Sequence, residues 1–174
     1  RTLLPHASDC VALSPVIGRL HALEEIHLRD WNLRHFDTKL MFPQLKRLRK
    51  LIITHADNAS INSIAASCPQ NLQSLRILVG SVHASVNVTP ILKILRTCPI
   101  QELHAPHLQG SYSGDTHVRE ICKCNGSLRK LTIGRRLWYF PGKADISVSD
   151  QILRMVDAAN EASNGRVRIS VISW

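Results

Sequence analysis

A triplet of aliphatic residues recurs along this chain at nearly constant spacing, and it constrains the fold more than any other feature. Leu23-x-x-Ile26-x-Leu28 is followed by Leu48-x-x-Leu51-x-Ile53 and Leu72-x-x-Leu75-x-Ile77. Ile100-x-x-Leu103-x-Ala105 and Leu128-x-x-Leu131-x-Ile133 continue the series. The first anchors of these copies stand 25, 24, 28 and 28 residues apart. A sixth copy is degenerate: Ile169-x-Val171 keeps the closing pair, but Arg166 takes the first anchor. One such triplet is common by chance in a leucine-rich chain. Five at this spacing are not, and a period of this length marks a repeat architecture.

Two periodicities give the repeat its physical meaning. Within each copy the closing pair at i, i+2 has strand alternation, so both side chains face one side of a short β-strand. Between copies the period becomes helical. Ile61, Ile64, Ala65 and Cys68 share one helix face, as do Ile91, Ile94, Leu95 and Cys98, and Ile152, Met155, Val156 and Ala159. Val118, Ile121 and Cys122 fit more loosely. Ser14-Pro15 and Thr89-Pro90 each set an N-cap residue before a proline suited to the first helical position, and Ser149-Asp150 opens the last helix. Cys68-Pro69 and Cys98-Pro99 close two others, because the residue before proline avoids helical dihedrals.

Each unit thus predicts a strand, a turn and a helix. No single unit can bury its apolar face, so neighbours must stack, strands in one parallel sheet and helices opposite. The expected fold class is an α/β solenoid of about six units. Residues 14–133 form the regular part of a single domain, and 134–174 an irregular C-terminal repeat or cap. Composition agrees: of 174 residues 44% are hydrophobic, with 22 Leu and 16 Ile against 8 aromatics. Thin repeated layers favour branched aliphatics over rings. No uninterrupted apolar stretch approaches the ~20 residues that a membrane helix needs.

The segments SIAASCPQNLQSLRI (Ser63–Ile77) and ILRTCPIQELHA (Ile94–Ala105) end a helix in Cys-Pro directly before an L-x-x-L-x-L strand. In this the sequence resembles the leucine-rich-repeat proteins, and in particular the cysteine-containing repeats of F-box-type substrate receptors. The resemblance covers about Ser14 to Ile133. It implies a non-enzymatic protein-recognition domain that presents a target to an adaptor and cullin scaffold, through an F-box segment outside these residues. The family's Asn or Cys three residues after the strand pair is replaced here by Trp31, Ala56, Gly80, Leu108 and Arg136.

Catalytic chemistry has no foothold in the sequence. A glycine-rich phosphate loop, a nucleophile elbow and a His-Glu-x-x-His motif are all missing, so an enzyme is not expected. No cofactor is implied. Cys122-x-Cys124 with His117 upstream comes nearest to a metal site, yet it lacks a second ligand pair and reads as structural. Cys68 and Cys98 stand at helix positions where small thiols pack as core residues.

The strand residues that alternate with the buried pair should line the open, concave side of the sheet. One column reads His27, Ile52, Arg76, His104, Thr132 and Ser170. Flanking columns read Glu25, Lys50, Ser74, Glu102, Lys130 and Arg168, and Arg29, Thr54, Leu78, Pro106, Gly134 and Ile172. Acidic, basic and aliphatic residues mix there, which suits a protein partner better than nucleic acid, whose interface needs a single-sign stripe with aromatics. The candidate contacts are His27, Arg29, Thr54, Arg76, His104 and Thr132. Trp138 and Tyr139 belong to an aromatic run where the repeat fails, and they serve either as a lid on the last unit or as interface anchors.

Charge and cysteine usage constrain less. Lys+Arg 22 against Asp+Glu 13 gives +9, which favours an acidic partner. The basic runs Arg29–Lys50 and Arg119–Arg136 read as the solvated rim of the repeats, with a nucleic-acid contact as the alternative. Five cysteines form no paired framework, so a reducing compartment, cytoplasm or nucleus, is expected. Sequons at Asn58, Asn87 and Asn125 support the competing reading of a secreted receptor ectodomain. Opening on Arg1, the chain reads as a fragment of a longer protein.

Overall fold

The computed structural model describes residues 10–28, 36–80, 86–109, 114–135 and 148–173. In chain order the elements are α1 (Cys10–Gly18), β1 (Glu25–Leu28), α2 (Thr38–Met41), a 3-10 turn (Phe42–Gln44), β2 (Lys50–Ile53), α3 (Asn58–Ser67) and β3 (Ser74–Ile77). There follow β4 (Val86–Asn87), α4 (Val88–Thr97), β5 (Glu102–Ala105), β6 (Leu108–Gln109), α5 (Gly114–Cys124), β7 (Lys130–Arg135), α6 (Val148–Ser163) and β8 (Arg168–Ser173).

Every aliphatic triplet ends in a strand, and these strands form one six-stranded sheet in the order β1-β2-β3-β5-β7-β8. All neighbours pair in parallel. Parallel neighbours need a crossover, and a helix lies between each strand and the next. The result is a mixed α/β fold.

The register follows the repeat. Ile26, Leu51, Leu75, Leu103, Leu131 and Ile169 are successive Cα partners across the sheet. The first anchors Leu48, Leu72, Ile100 and Leu128 are fully buried beneath it. The residue before each of β1, β2, β3 and β5 accepts two backbone N–H bonds from the next unit. Glu24 O accepts from Arg49 and Lys50, Arg49 O from Gln73 and Ser74, Gln73 O from Gln101 and Glu102, and Gln101 O from Arg129 and Lys130. Repeat spacing is thereby locked by main chain, and side chains remain free to vary.

The helices contribute the other wall of the core. Ile61, Ile64, Ile91, Ile94, Leu95, Val118, Ile121 and Cys122 are all buried, and consecutive helices touch in sequence order. Each such aliphatic contributes about 1.5–3 kcal/mol through burial. Two aspartates start helices: Asp37 Oδ1 accepts from Lys39 N and Leu40 N, and Asp57 Oδ1 accepts from Ser60 N at 2.7 Å. The Cys-Pro ends behave as expected, since Cys68 and Cys98 are C-caps with extended ψ of 135° and 143°.

Several local expectations are corrected. Ser14-Pro15 does not open a helix: α1 runs from Cys10 and holds Pro15 inside it. The Ser14 hydroxyl is buried and accepts the Asp37 N–H at 3.0 Å, so a partner 23 residues away takes the group that would cap its own helix. Likewise α4 starts at Val88 with Asn87 as N-cap, which places Pro90 within the first turn, where a missing N–H costs nothing. Between β1 and β2 the expected full helix is one short turn of α-helix extended by the 3-10 turn, built around buried Phe36 and Phe42. A second parallel pair, β4 with β6, was not foreseen.

The degenerate sixth copy resolves differently as well. Val167 rather than Arg166 fills the core, at 2% exposure. Arg166 turns its guanidinium onto the end of α5, donating to Cys122 O at 3.0 Å and Asn125 O at 3.2 Å. A cation there meets the negative end of the helix dipole.

A buried amide joins α4 to the turn after α5. Asn125 Nδ2 donates to Leu95 O and Cys98 O, while its Oδ1 accepts from Ser127 N. Cys68 and Cys98 occupy the equivalent ends of α3 and α4. Their sulfurs are paired as a disulfide, with Cα atoms 7.1 Å apart, beyond the usual span of such a bridge. Their helix register predicts separate core thiols, and the pairing corrects that expectation.

Candidate recognition face

The strand side of the sheet gathers the sequence-derived columns. His27, Ile52, Arg76, His104, Thr132 and Ser170 are successive Cα partners, and so are Glu25, Lys50, Ser74, Glu102, Lys130 and Arg168. Strand alternation sends both columns to the side away from the leucine anchors.

At one end of this face, charges are mutually satisfied. Glu25 Oε1 lies 2.9 Å from Lys50 Nζ and also contacts His27 Nε2. The Lys50 ammonium, then His27, hold the Glu25 carboxyl below its ordinary range. At the centre the pattern changes. Arg76 is exposed and His104 half-buried, and Arg76, Lys130 and Arg168 have no side-chain ion pair or hydrogen bond among the described residues. Burial, followed by the nearby charges of Arg76, Lys130 and His107, pushes the His104 imidazole below its usual value. His104 therefore stays neutral at neutral pH.

Side chains of β3, β5 and β7 enclose a hollow of about 240 Å³ on this face. Arg76, Glu102, His104, Lys130 and Thr132 line it, with Ser74 and Lys50 at its edge. Thr132 is only 7% exposed and sits low in the face, between the longer residues around it. Ile52, expected as an exposed aliphatic, is buried at 8% for the same reason, and Pro106 is buried too. Thr54 is half-buried, and its hydroxyl donates to Leu28 O at 3.4 Å, so it continues the sheet ladder as much as it faces outward. Arg29, Trp138 and Tyr139 lie outside the described residues. The structure thus brings together Arg76, His104 and Thr132, leaves His27 with Glu25, and adds Lys130 and Ser74. Those two were legible as members of the flanking column but had not been singled out.

The helix side carries a second concavity, about 470 Å³, between the 3-10 turn and the ends of α3 and α4. Phe42, Leu45, Ala65 and Cys68 give it an apolar wall, and Lys46 and Lys93 stand at its rim. In the basic run Lys46, Arg47 and Arg49 are exposed around buried Leu48.

The residues weighed as a metal site are placed by helix α5. Cys122 is buried in the core, where desolvation pushes its thiol up to about 11. Cys124 is half-buried and its thiol donates to Ile121 O at 3.3 Å; burial raises it also. His117 lies 3.9 Å from Glu120. Among the described residues no group of three or more His, Cys, Asp or Glu is placed to hold a metal ion. No described helix is long and apolar enough to cross a membrane.

No family model and no curated protein matches the chain.

Proposed function

We propose that this chain is a leucine-rich-repeat recognition domain, a curved α/β solenoid whose strand face holds a protein partner without catalysing a reaction. One observation carries the reading: two ranks of alternating strand residues run in register across six parallel strands, on the side opposite the buried anchors. A face of this kind fixes side chains at even spacing on rigid main chain, which suits recognition of an extended surface. Its mixture of charge and half-buried polar groups fits a protein interface. The unpaired cations at its centre fit an acidic region of that partner.

The resemblance to F-box-type receptors extends the proposal: the partner is a substrate handed to a ubiquitin-ligase adaptor through sequence outside this chain. The cytoplasm or nucleus is the compartment that goes with it. Of the three sequons, Asn125 is 4% exposed with both amide hydrogens engaged, Asn58 is half-buried and Asn87 is exposed.

Hydrogen exchange on the complex with a captured partner tests the proposal. Protection confined to β2, β3, β5 and β7 supports it. Protection confined to α3, α4 and α5 refutes it.

A further inference from the structure

We propose that the hollow over β3, β5 and β7 binds a phosphorylated side chain of the partner protein. This rests on the reading of the strand face as a recognition surface and gives that surface a specific chemistry.

Charge favours an anion here. Within the hollow and one strand beyond it stand Arg76, Lys130 and Arg168, with Glu102 the carboxylate among them. Lys50 also lines the hollow, but Glu25 already balances it at 2.9 Å. Three cations against one carboxylate leave a surplus of two. Unpaired cations held close together repel one another, and the depressed basicity of His104 registers the same field together with its burial. A ligand that neutralises this surplus binds with electrostatic gain. A phosphomonoester carries about −1.5 to −2 at pH 7 and three acceptor oxygens, whereas a carboxylate carries one charge.

The donors suit that group in kind. Arg76 offers a planar fork that can engage two phosphate oxygens at once. Lys130 offers a mobile point charge. The sunken Thr132 hydroxyl, the Ser74 hydroxyl and an N–H of the neutral His104 ring supply uncharged donors around the same space. The hollow is open to the strand face, so a side chain projecting from an extended peptide has a path into it. A nucleic-acid backbone presents phosphate as well, but each diester carries a single charge and follows a line of cations. Here that line is broken by Glu102 and closed at one end by the Glu25–Lys50 pair.

Amide NMR of the full chain tests the proposal, with acetyl-Gly-phosphoSer-Gly-amide as probe beside its Ser and Asp counterparts and a decathymidylate. The expected result is saturable shifts at Arg76, His104, Lys130 and Thr132 from the phosphopeptide, with the Asp peptide about tenfold weaker. The His104 ring pKa, followed in the same samples, rises at saturation because the bound anion offsets Arg76 and Lys130. Arg76→Gln with Lys130→Gln lowers affinity about tenfold or more, while Lys46→Gln with Lys93→Gln on the helix side leaves it unchanged. Equal shifts from the Ser and phosphoSer peptides would overturn the phosphate inference but leave protein recognition standing. A preference for the decathymidylate, a response centred on Lys46 and Lys93, or silence at all four residues would overturn it too. The recognition reading is judged separately, by the hydrogen-exchange footprint of a captured partner.

Discussion

The side-chain amide of Asn125 donates to the main-chain carbonyl of Cys98 at 2.9 Å, across the junction of two successive units. The same nitrogen donates to Leu95 O at 2.8 Å, and the amide oxygen accepts from Ser127 N. A single buried side chain therefore satisfies two carbonyls at the end of α4 and orders the turn into β7. Replacing Asn125 by Ala removes the donor to Leu95 O and leaves Cys98 O with the Ile100 N–H alone, which costs about 1–3 kcal/mol. Chemical denaturation should show that loss with an unchanged denaturant slope. Expressed through a secretory pathway, the folded chain should carry no glycan at Asn125, and peptide mass spectrometry reads this directly.

Core and face should separate cleanly on the central strand. Leu75 is fully buried and Arg76, the next residue, is exposed. Leu75→Ala should destabilise by about 2–5 kcal/mol through lost transfer energy and a residual cavity. Arg76→Ala should change stability by less than about 0.5 kcal/mol. Urea unfolding of the two variants checks the contrast.

Cys68 and Cys98 offer a readout of compartment and of helix spacing. Mild reduction should open this bridge, whose cysteines stand 30 residues apart, and peptide mapping before it should find Cys122 and Cys124 as thiols. Cys122 is buried and its thiol is held protonated near a pKa of about 11, so it reacts slowly. Opening the loop should destabilise by less than the chain-entropy figure of about 3–4 kcal/mol, because the Cα atoms stand beyond the usual span of a bridge. Peptide mapping without reductant, together with the melting temperature before and after reduction, measures both.

His104 should make stability fall on mild acidification. Its pKa in the fold is lowered from 6.5, so the unfolded chain binds more protons between the two values. Stability is therefore fully present above about pH 6.5 and declines as pH falls below it, levelling off beneath the folded pKa. Glu25 adds a loss in a more acidic window: its carboxyl is lowered from 4.5, and its contribution disappears as pH drops through the folded value. Denaturation midpoints of wild type and His104→Gln at a series of pH values separate the two, since the variant should lack only the upper decline.

The strands and their anchors were legible because an L-x-x-L-x-L triplet states both a strand period and a buried side. Every member of the two strand-face columns can be counted off along the sequence. How deep each member sits was not legible. Thr132 and Ile52 sink because longer neighbours on adjacent strands rise around them, and no single strand's sequence encodes that. Helix starts failed at Ser14 and Thr89, which have the right chemistry to cap: Asp37 N takes the Ser14 hydroxyl, and α4 already begins at Val88. A buried polar link between units lies where helices end, at Asn125 beside Cys98, and an Asn following the Cys-x-Cys of α5 was the available signal. Arg166 broke the pattern of anchors because a cation at a helix end has its own stabilisation, with Val167 beside it to fill the core.

The central claim is that the strand face recognises a protein and does so with residues that the fold does not need. Arg76→Ala combined with His104→Ala tests this most directly, measured as partner affinity and melting temperature on the same preparations. The account predicts an affinity loss of about tenfold or more with the melting temperature changed by no more than about 2 °C. Unchanged affinity, or a melting temperature that falls together with binding, would contradict it.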